Sequence, residues 1–260
     1  MKNELLKLNV IEKYSEIAKN SNFGCCNTNE LNYTVFSDDY TNIEGYIPEA
    51  DLGLGCGLPT EFAEIKKGDK VIDLGSGAGN DCFVARSIVG EEGLVVGVDF
   101  TKEMLLKAEK NLAKTNYKNV KFVYGDIENL PFEENSFDVV ISNCVLNLVP
   151  DKEKAYSEIY RVLDTNGHFS ISDIVTTGNL KSELKEVASL YAGCISGALD
   201  KEEYIKIIKN TNFKTVEIKK IKKIDIPDNL FLQYISTEEL NEIKSNNIGI
   251  YSITINGYKY

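Results

Sequence analysis

The sequence predicts an α/β fold built on a mostly parallel sheet, with an antiparallel addition at the C-terminal end and an N-terminal arm. Three observations predict it. Short apolar runs alternate with amphipathic helical patterns from Lys70 onward. A glycine-rich loop, Asp73-Leu-Gly-Ser-Gly-Ala-Gly79, joins the first such run to the first helix. Two late segments, Phe213–Ile221 and Ile248–Ile255, alternate apolar and polar residues as paired strands do.

The chain opens with Glu4–Lys19, where Leu6, Val10, Tyr14 and Ile17 recur at helical spacing. Residues 20–60 are rich in Gly, Asn, Asp, Thr and Tyr and carry no period. An irregular arm is expected there, of a length that usually serves function. Buried strands are predicted at Val71–Leu74, Leu94–Val98, Val120–Val123, Phe137–Ile141 and His168–Ile171. Helices fit between them. Asp81–Val89 leaves the glycine loop directly, Thr101 caps a helix carrying Met104, Leu105, Ala108 and Leu112, and Asp151 caps one carrying Ala155, Ile159, Val162 and Leu163. Strands alternating with helices form βαβ units, whose sheet is covered on both faces. Beyond Asp173, Leu180, Leu184, Val187, Ala188 and Tyr191 mark a helix running into Cys194. Tyr204, Ile207 and Ile208 mark another, and a short helical segment near Asn229–Lys244 separates the two last strands. The expected divisions are residues 1–60 for the N-terminal helix and cysteine-bearing arm, 61–178 for the nucleotide-binding core, and 179–260 for a substrate-side helix and the closing strands.

At 260 residues, 43% hydrophobic and 27% charged, the chain has room for one large α/β domain with appendages or two small domains. Its net charge of −11 repels phosphate backbones and anionic lipid. That argues against nucleic-acid and membrane partners and is compatible with a small uncharged or cationic ligand, such as a sulfonium. The first twenty residues lack the apolar core of a secretory leader, and no stretch approaches the roughly 18–20 apolar residues of a membrane span. A cytoplasmic protein with reduced thiols is expected. No Cys-x-x-Cys occurs and His168 is the sole histidine, which argues against a zinc ribbon, a finger or a thioredoxin-type site.

Glycines let a backbone turn tightly and approach a ligand, and a helix N-terminus presents N–H groups to it. Gly75, Ser76 and Gly77 follow Asp73 in this way. Asp99 ends the next strand twenty residues after Gly79, with Phe100 beside it. A carboxylate there suits both hydroxyls of a ribose. The bland reading is a tight turn in any α/β fold, or an NAD site. Two details favour S-adenosylmethionine: the glycines are spaced Gly-x-Gly-x-Gly, and an Asp precedes them. Gly125-Asp126-Ile127-Glu128-Asn129-Leu130-Pro131-Phe132 then supplies a carboxylate, Asp126, for an adenine amino group and an apolar side chain, Ile127, for the ring face. Phe137-Asp138-Val139-Val140-Ile141-Ser142-Asn143 brings Asn143 to the ligand edge of the sheet. The series resembles the class I S-adenosylmethionine-dependent methyltransferases, which implies their Rossmann-like fold and that cofactor.

Three of the six cysteines stand in runs of small residues that read as loops or element ends: Cys56 in Gly-Leu-Gly-Cys-Gly, Cys144 in Ser-Asn-Cys-Val-Leu-Asn-Leu, and Cys194 in Tyr-Ala-Gly-Cys-Ile-Ser-Gly-Ala. Cys25-Cys26 form an adjacent pair in the arm. Soft thiolates beside a nucleotide-type cofactor point to chemistry on a thiol-seeking atom. The competing reading is core packing, since cysteine behaves as a small hydrophobe. It suits Cys82, competes at Cys144 and is less natural at glycine-flanked Cys56. Asp51-Leu-Gly-Leu-Gly-Cys-Gly-Leu-Pro, the Asp73 loop, Ser142-Asn-Cys-Val-Leu-Asn-Leu-Val-Pro-Asp-Lys and Tyr191-Ala-Gly-Cys-Ile-Ser-Gly-Ala together resemble arsenite methyltransferases, over roughly Tyr14 to Asp200.

The resemblance implies that Cys56, Cys144 and Cys194 bind trivalent arsenic and that Cys25 or Cys26 enters a disulfide relay. It also implies arsenite or its thiol conjugate as substrate and a thiol reductant, glutathione or thioredoxin, as co-substrate. The expected function is S-adenosylmethionine-dependent methylation of arsenic for detoxification. Two alternatives stand beside it: a methyltransferase for a small organic acceptor such as a quinone precursor, and a protein that only binds arsenite or a thiophilic metal.

Overall fold

The computed structural model describes residues 2–19, 38–178, 180, 184 and 197–260. Each predicted apolar run is a strand: β1 Lys70–Leu74, β2 Leu94–Asp99, β3 Val120–Tyr124, β4 Phe137–Asn143 and β5 Leu163–Thr177. All five run parallel. β5 begins earlier than expected, because its register against β4 jumps from Phe137–Leu163 to Val139–His168. Asn166 takes up the slack at φ +65°, a conformation that asparagine tolerates better than most residues. The two late strands, β6 Thr215–Lys223 and β7 Gly249–Tyr258, pair antiparallel with each other, and β7 also pairs antiparallel with β5. Among the described residues the sheet has seven strands, in the order β3-β2-β1-β4-β5-β7-β6. The C-terminal addition thus extends the same sheet, as expected.

Helices α1 Lys2–Lys19, α2 Pro59–Phe62, α3 Asn80–Val89, α4 Lys102–Leu112, α5 Lys152–Val162 and α6 Lys201–Asn210 surround the sheet. Asp151 caps α5 by accepting the Lys154 N–H at 3.0 Å. Thr101 occupies the N-cap position of α4 without capping it; its N–H donates to Asp99 at 2.7 Å. The segment near Asn229–Lys244 holds two short helices, α7 Asp228–Phe231 and α8 Thr237–Ser245. A reciprocal Ser236–Glu239 capping box starts the second. Residues 38–58 form turns only, as an irregular arm should. Apart from Leu180 and Leu184, the helix expected over Leu180–Tyr191 lies outside the described residues, and so does the arm segment 20–37.

Strand alternation divides the core. Val71, Val95, Val139 and Ile141 pack against Phe83, Ala85 and Val89 of α3. Ile72, Val96, Val98 and Val140 pack with Tyr156 and Ile159 of α5 and Tyr204 and Ile208 of α6. A third apolar cluster joins Cys56 and Cys144 to Ile174 of β5, Ile250 of β7, and Ile224, Ile226, Ile235 and Leu240 from the excursion between β6 and β7. α1 rests on α4 through a Ser15 hydrogen bond to Glu103 at 2.8 Å and a Lys19–Glu103 ion pair at 3.4 Å. Among the described residues no helix is long and apolar enough to cross a membrane.

Candidate functional site

β1 lies between β2 and β4, so the sheet order reverses there and the strand ends part to leave a crevice. The crevice, about 850 Å³ counting the solvent at its open mouth, is lined by Asp73, Gly75, Ser76, Gly77, Asp99, Phe100, Asn143 and Cys144. A second hollow of about 360 Å³ shares Phe100, Val145 and Leu148 with it and carries Asp126 and Ile127. All nine residues expected at the cofactor therefore border these two hollows. Val10 and Tyr14 of α1 form part of the rim.

The glycine loop is held by the neighbouring strand β2. Gly75 and Ser76 donate their N–H groups to the Val98 carbonyl at 2.8 and 3.0 Å, and Gly77 donates to Asp99 Oδ2 at 3.0 Å. These N–H groups tie the loop to the end of β2. Gly75 is required twice over: its φ is +72°, and a Cβ would lie 2.5 Å from Val145. Among the described residues, Ser76 Oγ and Asn80 Oδ1 are buried in the crevice wall without a hydrogen-bond partner. Buried polar atoms of this kind call for a partner, which a polar ligand would supply.

The wall is acidic. Asp51, Asp73, Asp81 and Asp99 all line it. Asp73 accepts an S–H from Cys82 at 3.3 Å, so the buried Cys82 supports the site without facing it. Asp81 accepts from the Tyr40 hydroxyl at 2.8 Å and from Asn143 Nδ2 at 3.1 Å. Burial, with Asp81 close by, pushes the Asp73 carboxyl well above the usual range, and burial lifts Asp81 to about 6. Burial also raises Asp99, against the pull of its backbone N–H donors. A cation in the crevice would favour the ionised forms of all of them. At the far end Asp126 is paired with Lys7 of α1 at 2.6 Å, and the same ammonium reaches Glu128 at 2.5 Å.

Two of the predicted cysteines meet. The Cys56 N–H donates to Asn143 Oδ1 at 3.0 Å, and the Cys56 carbonyl accepts from the Ser252 hydroxyl. Gly57 allows the close approach, since a Cβ there would lie 2.5 Å from Ser172 Oγ. Cys144 follows β4 in the left-handed region, at φ +62°, and its N–H donates to the Ser172 carbonyl at 2.8 Å. As a result Cys56 Sγ, Cys144 Sγ and a carboxylate oxygen of Asp173 lie within 4.8 Å of one another, all buried. Cys25, Cys26 and Cys194 lie outside the described residues. Leu184 and Ala198, which flank Cys194 in sequence, belong to the same apolar cluster as Cys56 and Cys144.

Sequence reasoning missed Tyr40, Asp81 and Asp173. Tyr40 left no signal in an aperiodic arm. Asp173 left one: an acid inside the strand run Ser170-Ile-Ser-Asp-Ile-Val, where a buried position should be apolar. His168 takes a structural place, with Nε2 against the Ala63 carbonyl and its ring stacked on Tyr258.

The raised Asp81 carboxyl has a consequence for stability. A folded-state value near 6, above the ordinary 3.8, means the folded protein holds a proton that the unfolded chain has released. Asp81 thus favours the folded state fully below pH of about 4, and this contribution disappears as pH rises through about 6. Chemical denaturation from pH 4 to 7 should show this decline in the wild type. In Asp81→Asn the decline should be shallower, and an unchanged slope would refute the assignment.

A family model for a methyltransferase domain matches residues 65–212, more than half of the chain. An arsenite methyltransferase of Halobacterium salinarum is 41% identical over 197 residues, covering 75% of this chain and 50% of that protein. The arsenite methyltransferase of Homo sapiens is 39% identical over 168 residues, covering 61% of this chain and 44% of that one. The chain spans about half the length of the curated relatives it matches. The crystal structure of an arsenic(III) S-adenosylmethionine methyltransferase from Chlamydomonas reinhardtii matches with a TM-score of 0.65 at 32% identity, covering 88% of this chain and 74% of that one. The shared fold, the family model and these relatives agree: the chain belongs to the class I S-adenosylmethionine-dependent methyltransferases, in the family of the arsenite methyltransferases.

Proposed function

We propose that this protein transfers a methyl group from S-adenosylmethionine to trivalent arsenic held by the thiolates of Cys56, Cys144 and Cys194. One observation carries the reading: Cys56 and Cys144 come from separate motifs, yet their sulfurs lie within 4.8 Å of each other, and Cys144 also lines the crevice. The relatives named as arsenite methyltransferases support it.

The crevice fits the cofactor, which supplies an electrophilic methyl on a sulfonium. Its acidic wall suits a cation, and its unpartnered Ser76 and Asn80 atoms suit a polar ligand. Asp99 holds the ribose hydroxyls with lone pairs left over from Gly77 and Thr101. Asp126 and Ile127 receive the adenine, and Asp73 and Asp81 lie towards the charged end. Asn143 serves the thiols as much as the cofactor, because it fixes the Cys56 loop. Trivalent arsenic is soft and exchanges its hydroxides for thiolates. Three thiolates leave a lone pair on the open face, which attacks the methyl, and no general base is needed. Holding two atoms in line can supply about 7–11 kcal/mol.

Methyl transfer formally raises arsenic from trivalent to pentavalent, so a further methylation needs two electrons. Two thiols closing to a disulfide supply them. Adjacent cysteines rarely bond to each other, so the proposed bridge is Cys25–Cys56 or Cys26–Cys56, restored by a thiol reductant, glutathione or thioredoxin. The biological setting proposed is arsenic detoxification in the cytoplasm.

Asp99→Ala should weaken S-adenosylmethionine binding by about 1.5–3 kcal/mol, the size of a lost charge-assisted hydrogen bond. Unchanged calorimetric affinity would remove Asp99 from the cofactor site. Incubation with labelled S-adenosylmethionine, glutathione and arsenite should yield methylated arsenic on chromatography, and Cys56→Ser or Cys144→Ser should abolish it. Full activity in either variant would favour an organic acceptor, and arsenite binding without methyl transfer would favour a sequestering protein. The Cys25→Ser/Cys26→Ser protein should still bind arsenite and S-adenosylmethionine but turn over poorly with thioredoxin as sole reductant. Full multiple turnover there would show that the electrons come from elsewhere.

A further inference from the structure

Asp173 is a carboxylate where packing asks for a hydrocarbon. It is fully buried in β5, next to Ile174, within the apolar cluster that encloses Cys56 and Cys144. Burying a carboxylate among apolar side chains is costly unless its oxygens are used. Several are. The Ile174 N–H donates to Oδ1 and the Tyr204 hydroxyl donates to Oδ2, each at 3.0 Å, and the Asn147 N–H donates as well. Tyr204 in turn accepts from the Tyr156 hydroxyl at 2.8 Å. A carboxylate has about four acceptor positions, so one remains. An oxygen of this fixed group lies within 4.8 Å of both sulfurs.

Arsenite carries three hydroxyls. When two thiols replace two of them, two As–S bonds form, two As–O bonds break, and each departing hydroxide leaves as water with a thiol proton. Arsenic stays trivalent and keeps one hydroxyl. We propose that Asp173 is the third protein partner of this two-thiol state: its carboxylate accepts a hydrogen bond from the hydroxyl retained on arsenic after Cys56 and Cys144 have bound. It thereby selects trivalent metalloids with a third exchangeable oxygen and holds them until another thiol displaces it. This role rests on the arsenic reading above.

The test uses the full chain carrying Cys194→Ser, so that only the two-thiol state forms, titrated by calorimetry with two probes. Arsenite retains a hydroxyl after binding two thiols. Phenylarsonous acid has only two exchangeable hydroxyls and retains none. Adding Asp173→Leu/Tyr204→Phe removes the carboxylate together with its phenol donor, so no buried O–H is orphaned by the loss of Asp173. Arsenite affinity should then fall about tenfold or more, as for loss of a hydrogen bond to a charged group, while phenylarsonous acid binds as before. Equal loss of both probes, or loss of neither, would overturn the inference. Tyr204→Phe alone keeps Asp173 and should retain arsenite affinity; a loss as large as that of the double change would assign the effect to the tyrosines and overturn it too. Should the double change abolish S-adenosylmethionine binding and so report misfolding, Asp173→Asn is read against the same two outcomes. Failure of both probes to bind the Cys194→Ser parent would overturn the arsenic reading itself, a result distinct from selective failure of Asp173.

Discussion

The amide of Asn143 stands where separately folded pieces of the chain meet. Its Oδ1 accepts the Cys56 N–H, while its Nδ2 lies 2.9 Å from the Gly57 carbonyl, 2.9 Å from the Tyr40 hydroxyl and 3.1 Å from Asp81. An irregular loop, an arm residue and the first turn of α3 are therefore all indexed to the last residue of β4. A single hydrogen bond of this type contributes only about 0.5–1.5 kcal/mol net, but stranding its buried partners costs about 1–3 kcal/mol for each group. An aspartate in its place would keep the acceptor for Cys56, yet would lose the donor and set a second negative charge against Asp81. The position needs an amide, with both faces used.

The next residue turns that anchor into a site. Asn143 pairs with Ser172 across β4 and β5, so the following residues, Cys144 and Asp173, leave the pair together. Cys144 adopts φ +62°, a conformation that costs a non-glycine residue about 1–3 kcal/mol and persists only where its surroundings enforce it. The Ser172 carbonyl enforces it through the Cys144 N–H. Ser172 also receives Gly57 against its side chain and bonds Thr254 of β7 at 2.9 Å. The antiparallel addition therefore braces the thiol loop from behind, and the sheet extension has a local purpose beyond covering an edge.

The fold was legible because its signals are periodic. Five apolar runs and the glycine loop located the parallel strands and the crevice, and Asp151 announced α5 by cap chemistry. Thr101 shows the limit: the residue type fits a cap, but its hydroxyl turns to the neighbouring Asp99 carboxylate and accepts no N–H from the helix. The residues expected at a cofactor line one crevice because they occupy strand ends, which topology brings together. Cys56 and Cys144 were legible only as motifs. Their meeting depends on Asn143, Gly57 and Ser252, contacts between distant segments that no local pattern encodes. Tyr40 and Asp81 belong to the same kind, since what they do is set by tertiary partners. Asp173 was visible as an anomaly in a strand, and its neighbours gave the anomaly meaning.

The acidic crevice also bears on turnover. Asp51, Asp73, Asp81 and Asp99 form one wall, and burial raises the carboxyls of Asp73, Asp81 and Asp99, with Asp81 adding to the rise at Asp73. Such a wall holds a cation more strongly than a neutral molecule, because the cation offsets repulsion that the protein otherwise carries. A sulfonium loses its positive charge when its methyl leaves, while the rest of the molecule keeps the same shape and the same hydrogen-bonding groups. For the cofactor proposed above, discrimination between the spent and the charged form would therefore rest on electrostatics rather than on fit. The neutral arsenic(III) substrate proposed above would gain nothing from these acids, and its affinity would have to come from sulfur. The two proposed ligands would thus draw on different physics in adjoining spaces, with Asn143 on the boundary, facing the crevice on one side and fixing the thiol loop on the other.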